Sequence, residues 1–130
     1  MRTLIVIKPD WVENCDLLSE LYGLIKEYDL NIIFSKKISL KEDFWREFYI
    51  DHLGTSYFEE MVRWMSSSQS FFLIIDGERA IDLVRCKVIG RNGFGLRGKY
   101  QVSELRNVAH ASDSEESATR EINLVYGSLK

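Results

Sequence analysis

The chain has 130 residues, enough to bury a core without disulfide or metal staples, and a single domain is expected. Apolar residues make up 45%, charged residues 28% and aromatics 12%, which excludes a disordered chain, and a net charge of −3 argues against a general nucleic-acid binder. No apolar run approaches the roughly 20 residues of a membrane span, and the opening run is too short for a signal peptide, so a cytoplasmic location is expected.

Thr3 to Lys8 is apolar on both faces and stops at Pro9-Asp10, the pattern of a central strand buried on both sides. Lys8 falls at its C-terminal end, where open α/β sheets place ligands; a solvated strand-end lysine fits the same pattern. Leu17, Leu21, Leu24, Ile25 and Tyr28 recur at helical spacing and predict a helix from Asp16 to about Tyr28. Asn31 to Leu40 reads as a second strand, with Lys36 and Lys37 marking an edge. Lys41 to Tyr49 and Tyr57 to Met65 are predicted helices. Between them Asp51-His52-Leu53-Gly54-Thr55-Ser56 has loop composition, and His52 reads as a loop histidine rather than a catalytic one. Tyr57, Phe58, Met61, Val62 and Met65 form a stripe that usually means core, and part of it can make an apolar slot for a flat ligand.

Phe71 to Ile75 is a third strand, and Gly77 opens a turn into a short helix from about Glu78 to Lys87. From Arg85 to Ser103 there is no acidic residue, while Arg85, Lys87, Arg91, Arg97 and Lys99 are interleaved with Gly90, Gly93, Gly95 and Gly98. Glycine lets backbone amides approach an anion and arginine forks match phosphate oxygens, so phosphate binding is weighed ahead of a solvated basic loop. Cys15 and Cys86 are isolated, with no metal-ligand spacing and no disulfide framework, and read as thiols in a reducing compartment.

The short run Val108-Ala109 ends at His110, and a helix start follows. Ser112 with Glu115 fits a capping box, and Asp113 is an alternative cap. His110 is thus expected near the positive end of a helix dipole, where a phosphoryl group is favoured; an ordinary hydrogen-bonded histidine also fits. The last helix, about Ser114 to Tyr126, buries Ala118, Ile122 and Val125. Glu121 lies within roughly 60° of that face and needs a partner, either His110 or a nearby lysine or arginine. The element order is βαββαβ with added helices, an α+β, ferredoxin-like fold with a four-stranded antiparallel sheet.

Taken together the residues resemble the nucleoside diphosphate kinase family over essentially the whole chain. The matching pieces are Arg2-Thr3-Leu4-Ile5-Val6-Ile7-Lys8-Pro9-Asp10, Tyr49, Leu96-Arg97-Gly98 and, most specifically, Arg106-Asn107-Val108-Ala109-His110-Ala111-Ser112-Asp113-Ser114. The resemblance implies ping-pong transfer of the γ-phosphate of ATP, or another nucleoside triphosphate, to a nucleoside diphosphate. Mg²⁺ would be held mainly by the nucleotide phosphates. His110 would be the nucleophile and Glu121 would orient it. Lys8 and Asn107 would contact the sugar hydroxyls, Lys8 and Tyr49 the phosphates, Arg97 the phosphate tail, and Ser112 the region of the transferred group. A homo-oligomer is implied, with neither membrane nor specific nucleic acid as a partner.

The chain also departs from the family pattern. Tyr57 stands where the family stacks the base on phenylalanine, and Met61 where leucine is common; both are expected to contact the base. The Gly90–Arg97 loop is shorter, without a clear counterpart to the family's phosphate-binding threonine. Cys86 occupies a family arginine position, and the adjacent Arg85 is the expected substitute. The altered loop also admits an alternative, a relative that binds nucleotide or protein without turnover.

Overall fold

The computed structural model describes residues 1–90, 94–100 and 107–129. Strands β1 (Arg2–Ile7), β2 (Asn31–Ile38), β3 (Ser70–Asp76) and β4 (Ala109–Ala111) form one sheet in the order β2-β3-β1-β4. Every neighbouring pair is antiparallel. This is the ferredoxin-like order, with the two most apolar strands in the middle.

Both faces of that sheet are covered, which explains why β1 and β3 read as continuous apolar runs. On one face Ile5, Ile7, Leu73 and Ile75 pack against α1 (Cys15–Glu27), through Leu17, Leu21 and Ile25. The same face takes α4 (Ala80–Leu83), the π-turn Val84–Val88 that continues it, and Leu96 of α5 (Gly95–Tyr100). On the other face Leu4, Val6, Phe72 and Ile74 meet α2 (Glu42–Phe48), α3 (Phe58–Ser66) and α6 (Glu115–Ser128). Alternate residues of one strand thus serve separate cores, as the two-residue period requires. Each fully buried Leu, Ile or Phe contributes about 1.5–3 kcal/mol relative to exposure.

Most predicted elements appear with ends moved by a residue or two, the ordinary scatter of helix and strand termini. Three differ in kind. The helix expected over Glu78–Lys87 divides into α4 and a π-turn. Arg97, expected in a basic loop, sits on α5, whose first residue Gly95 has φ +67°. Of the shortened Gly90–Arg97 loop, residues 91–93 lie outside the described residues. Finally, α6 is capped by Ser114, whose hydroxyl accepts from the Ser117 amide at 3.0 Å. Ser112 cannot cap, because it is fully buried and its hydroxyl is engaged inward.

Candidate active site

At the C-terminal end of β1 the chain closes a cavity of about 320 Å³. Its walls bring together His110, Lys8, Arg97 and Asn107, with Tyr49, His52, Tyr57 and Met61 completing them. They come from β4, the end of β1, α5, the end of α2, the following turn and α3, so the sheet and its helices assemble residues far apart in sequence.

His110 lies within β4, opposite Val6 of β1. Its Nε2 is 2.8 Å from Glu121 Oε1, and the Ser112 hydroxyl donates to that same oxygen at 2.7 Å. Ser112 Oγ in turn accepts from the Leu4 amide at 3.4 Å. Burial alone would raise the Glu121 pKa. The hydrogen bonds and charge of His110, then Ser112 and Arg120, outweigh it and hold the carboxyl below its ordinary value. An ionised carboxylate only accepts, so Nε2 carries the proton in this contact. In the neutral ring Nδ1 is then the nitrogen with a free electron pair. Phe48 packs edge-on against the imidazole at 4.9 Å between centroids, and Tyr49 at 6.2 Å. The ring is held on its sides as well as at Nε2.

Arg97 and Lys8 are both tied to the Val108–Ala109 backbone beside His110. Arg97 donates from Nε and Nη2 to the Ala109 carbonyl, at 3.2 and 2.8 Å. Lys8 is anchored by its own amide, which donates to the Val108 carbonyl at 3.0 Å. Its side chain is only 4% exposed, with Nζ 5.6 Å from the centre of the Trp64 ring. Burial, and secondarily the charge of Arg97, lower the Lys8 pKa to about 7. Burial, reinforced by the Glu121 charge, pushes the Tyr49 phenol well above its ordinary range. Its hydroxyl therefore stays protonated, and it is buried without a hydrogen-bond partner among the described residues. Such a donor is costly unless something anionic or polar arrives to accept from it.

Three other expected site residues differ in how they meet the cavity. Tyr57 is 38% exposed at the mouth, whereas Met61 is buried at 5% in the wall behind. Arg85, on the π-turn, reaches the Asp113 carbonyl at 3.5 Å and is not part of the cavity wall. His52, read from the sequence as a loop histidine, is in the wall. The turn Ile50–His52 is a single 3₁₀ turn following Tyr49, and its His52 amide donates back to the Tyr49 carbonyl at 2.8 Å. The spacing Tyr49 to His52 was the available signal, hidden by the loop-like composition around it.

Among the described residues no group of three or more His, Cys, Asp or Glu converges as metal ligands. The wall offers cations and neutral donors, and Glu121 is already committed to His110 and Ser112. That donor set suits an anion carrying its own counter-cation rather than a bare cation.

The family model described as nucleoside diphosphate kinase matches residues 1–130. The chain belongs to the nucleoside diphosphate kinase family. The nucleoside diphosphate kinase of Sulfurisphaera tokodaii is 34% identical, the match covering 96% of this chain and 88% of that protein. The crystal structure of the Aquifex aeolicus nucleoside diphosphate kinase superposes with a TM-score of 0.86 at 33% identity, over 98% of this chain and 96% of that one. The structure from Encephalitozoon cuniculi gives 0.87 at 32%, covering 95% and 86%. As a member of the nucleoside diphosphate kinase family the chain shares the ferredoxin-like fold of these structures, and it is a phosphotransferase. Of the residues that the family resemblance nominates, the structure gathers His110, Glu121, Ser112, Lys8, Tyr49, Arg97, Asn107, Tyr57 and Met61 in or directly behind one cavity.

Proposed function

We propose that the chain is a nucleoside diphosphate kinase that moves a γ-phosphate through a phosphohistidine on His110. The observation that carries this reading is the Glu121–His110 contact at the wall of a cationic cavity, which engages Nε2 and leaves Nδ1 for attack. Nδ1 bonds to the γ-phosphorus as the bond from that phosphorus to the β-bridging oxygen breaks. The electron pair leaves with the nucleoside diphosphate. A second diphosphate then takes the phosphoryl group by the reverse displacement. Magnesium enters as part of the substrate, on the nucleotide phosphates, and offsets their charge.

The chain's own residues supply position and electrostatics. Arg97 and Lys8 face the phosphate chain, and the Tyr49 hydroxyl finds there the acceptor it otherwise lacks. Asn107 and Lys8 reach the sugar hydroxyls, while Tyr57 and Met61 form the platform for the base. Glu121 keeps the imidazole aligned and stabilises the cationic phosphoimidazole. Ser112 keeps Glu121 in place. Arg85, outside the wall, joins only if the nucleotide extends to it.

A homo-oligomer belongs to the same proposal. It is supported by the edge strand β2, which exposes Ile32 and Ile33 at 36% and 43%. A cytoplasmic location is supported by free Cys15 and Cys86. Among the described residues no helix is long and apolar enough to cross a membrane.

The test is labelling with γ-labelled ATP. The wild-type chain is expected to take up acid-labile, alkali-stable label, transferable to a deoxynucleoside diphosphate, and His110→Ala to take up none. Undiminished labelling of His110→Ala removes that residue from the role. Nucleotide binding without any phosphoenzyme would replace the enzyme by a binding module.

A further inference from the structure

The turn after Tyr49 is more tightly specified than its composition suggests. The His52 carbonyl accepts from the Thr55 amide at 3.1 Å and from the Thr55 hydroxyl at 2.7 Å, and its amide is tied to Tyr49. Gly54 makes the chain reversal possible with φ +93°, a conformation that side chains disfavour. The His52 ring is bracketed by two tyrosines, with centroids 5.9 Å away at Tyr49 and 5.8 Å at Tyr57. Its Nδ1 lies 3.0 Å from the Tyr57 hydroxyl. Backbone and Nδ1 are all engaged, so Nε2 is the one polar group of His52 left for a ligand. Nothing in the structural role of a loop histidine calls for this degree of fixation.

We propose that Tyr57 is a positioning residue whose hydroxyl holds His52 as an Nε2–H donor for the phosphate chain of the nucleotide. This rests on the reading of the cavity as a nucleotide site. A phenol donates well and accepts poorly, because its oxygen pair is delocalised into the ring. The Tyr57 O–H therefore donates to Nδ1, and the imidazole proton sits on Nε2. Lys8 and Arg97 share the cavity wall with His52. Beside several phosphate oxygens a further fixed donor has a clear use. Tyr57 thereby has two uses: its ring faces the base, and its hydroxyl sets the tautomer of a neighbour. A phenylalanine at 57 would keep only the first.

Two measurements test this. The chain holds two histidines, so nitrogen-correlated NMR spectra of the imidazole rings are assigned with His52→Ala. Wild type is expected to show His52 protonated at Nε2, and Tyr57→Phe, which keeps the ring, a mixture of tautomers. ADP titrations are expected to weaken about five-fold in Tyr57→Phe, the scale of one hydrogen bond. His52→Gln donates through an amide with no tautomer to choose. In that background the same Tyr57→Phe change is expected to cost less than about two-fold. An Nδ1–H tautomer in wild type overturns the proposal. So does unchanged ADP affinity in Tyr57→Phe, or an equal loss in the His52→Gln background. ADP binding and ring spectra need no turnover, so failure of the phosphohistidine reading registers separately, as absent label on His110. A wild-type chain that does not bind ADP overturns both.

Discussion

Lys8 shows how one side chain links folding to ligand binding. Burial lowers its pKa from the ordinary lysine value of 10.5, which the unfolded chain retains, to about 7 in the folded chain. Between those values the unfolded state holds the extra proton, so stability is expected to rise with pH across that window. Chemical denaturation at pH 7 and pH 9 checks the sign, and Lys8→Met should flatten the difference. On the proposed reading a bound triphosphate restores the charge. Calorimetry at pH 8 in buffers of different ionisation enthalpy should therefore register uptake of up to about one proton per nucleotide, lost in Lys8→Met. Glu121 is the other telling residue. Glu121→Gln keeps the shape but gives up the carboxylate, and kcat is expected to fall on the order of 10- to 100-fold with KM little changed. A parallel rise in KM would assign Glu121 to binding instead. Glu121 was legible because a carboxylate at the margin of an apolar helix face has to be paired. Ser112 was only half legible. The run of alternating serines and acids after His110 offers several caps, and the choice depends on which serine the sheet turns inward.

At the level of elements, Gly90, just past the π-turn, carries the sharpest expectation. Gly90 has φ +76°, and a Cβ there would lie 2.0 Å from the Phe94 carbonyl oxygen. Gly90→Ala is expected to cost about 2–3 kcal/mol, or roughly 10 °C in Tm, measured by thermal unfolding. Arg120 ties two helices together. It donates from α6 to the carbonyls of Glu47 and Phe48 at the C-terminal end of α2, where helix carbonyls lack a full set of intrahelical donors. Because Phe48 packs on the His110 ring, loosening that end should disturb the imidazole too. Strands β1 and β3 could be read directly, since an apolar run stopped by proline or a polar connector has few other meanings. The π-turn could not, since a helix and a π-turn differ by one residue in hydrogen-bond register and share the same side-chain pattern.

For the whole molecule, the sheet has a deep middle and unequal edges. The β4 edge is three residues long and adjoins the cavity wall, whereas β2 is eight residues long and largely exposed, with an irregular register between Ile32 and Phe34. An exposed edge of that length is a template for association. Sedimentation is expected to show a species heavier than the 15.2 kDa chain, and Ile33→Lys to shift it toward that mass without abolishing labelling of His110. A wild-type monomer would refute the assembly. The overall topology was legible because strand and helix periods alternate cleanly along the chain. The composition of the cavity was legible only in part, because its walls meet through long-range packing that no local pattern encodes.

The twin bonds from Arg97 to the Ala109 carbonyl have a wider meaning. Ala109 is covalently the neighbour of His110, so the guanidinium and the imidazole ride on one short stretch of backbone. Their separation is set by chain geometry and owes nothing to how the far end of the nucleotide is seated. If the cavity seats a nucleotide as proposed, a larger or smaller base can tilt against Tyr57 while the phosphate end meets the same fixed groups. On the proposed reading, tolerance of different bases would follow from where one arginine is moored.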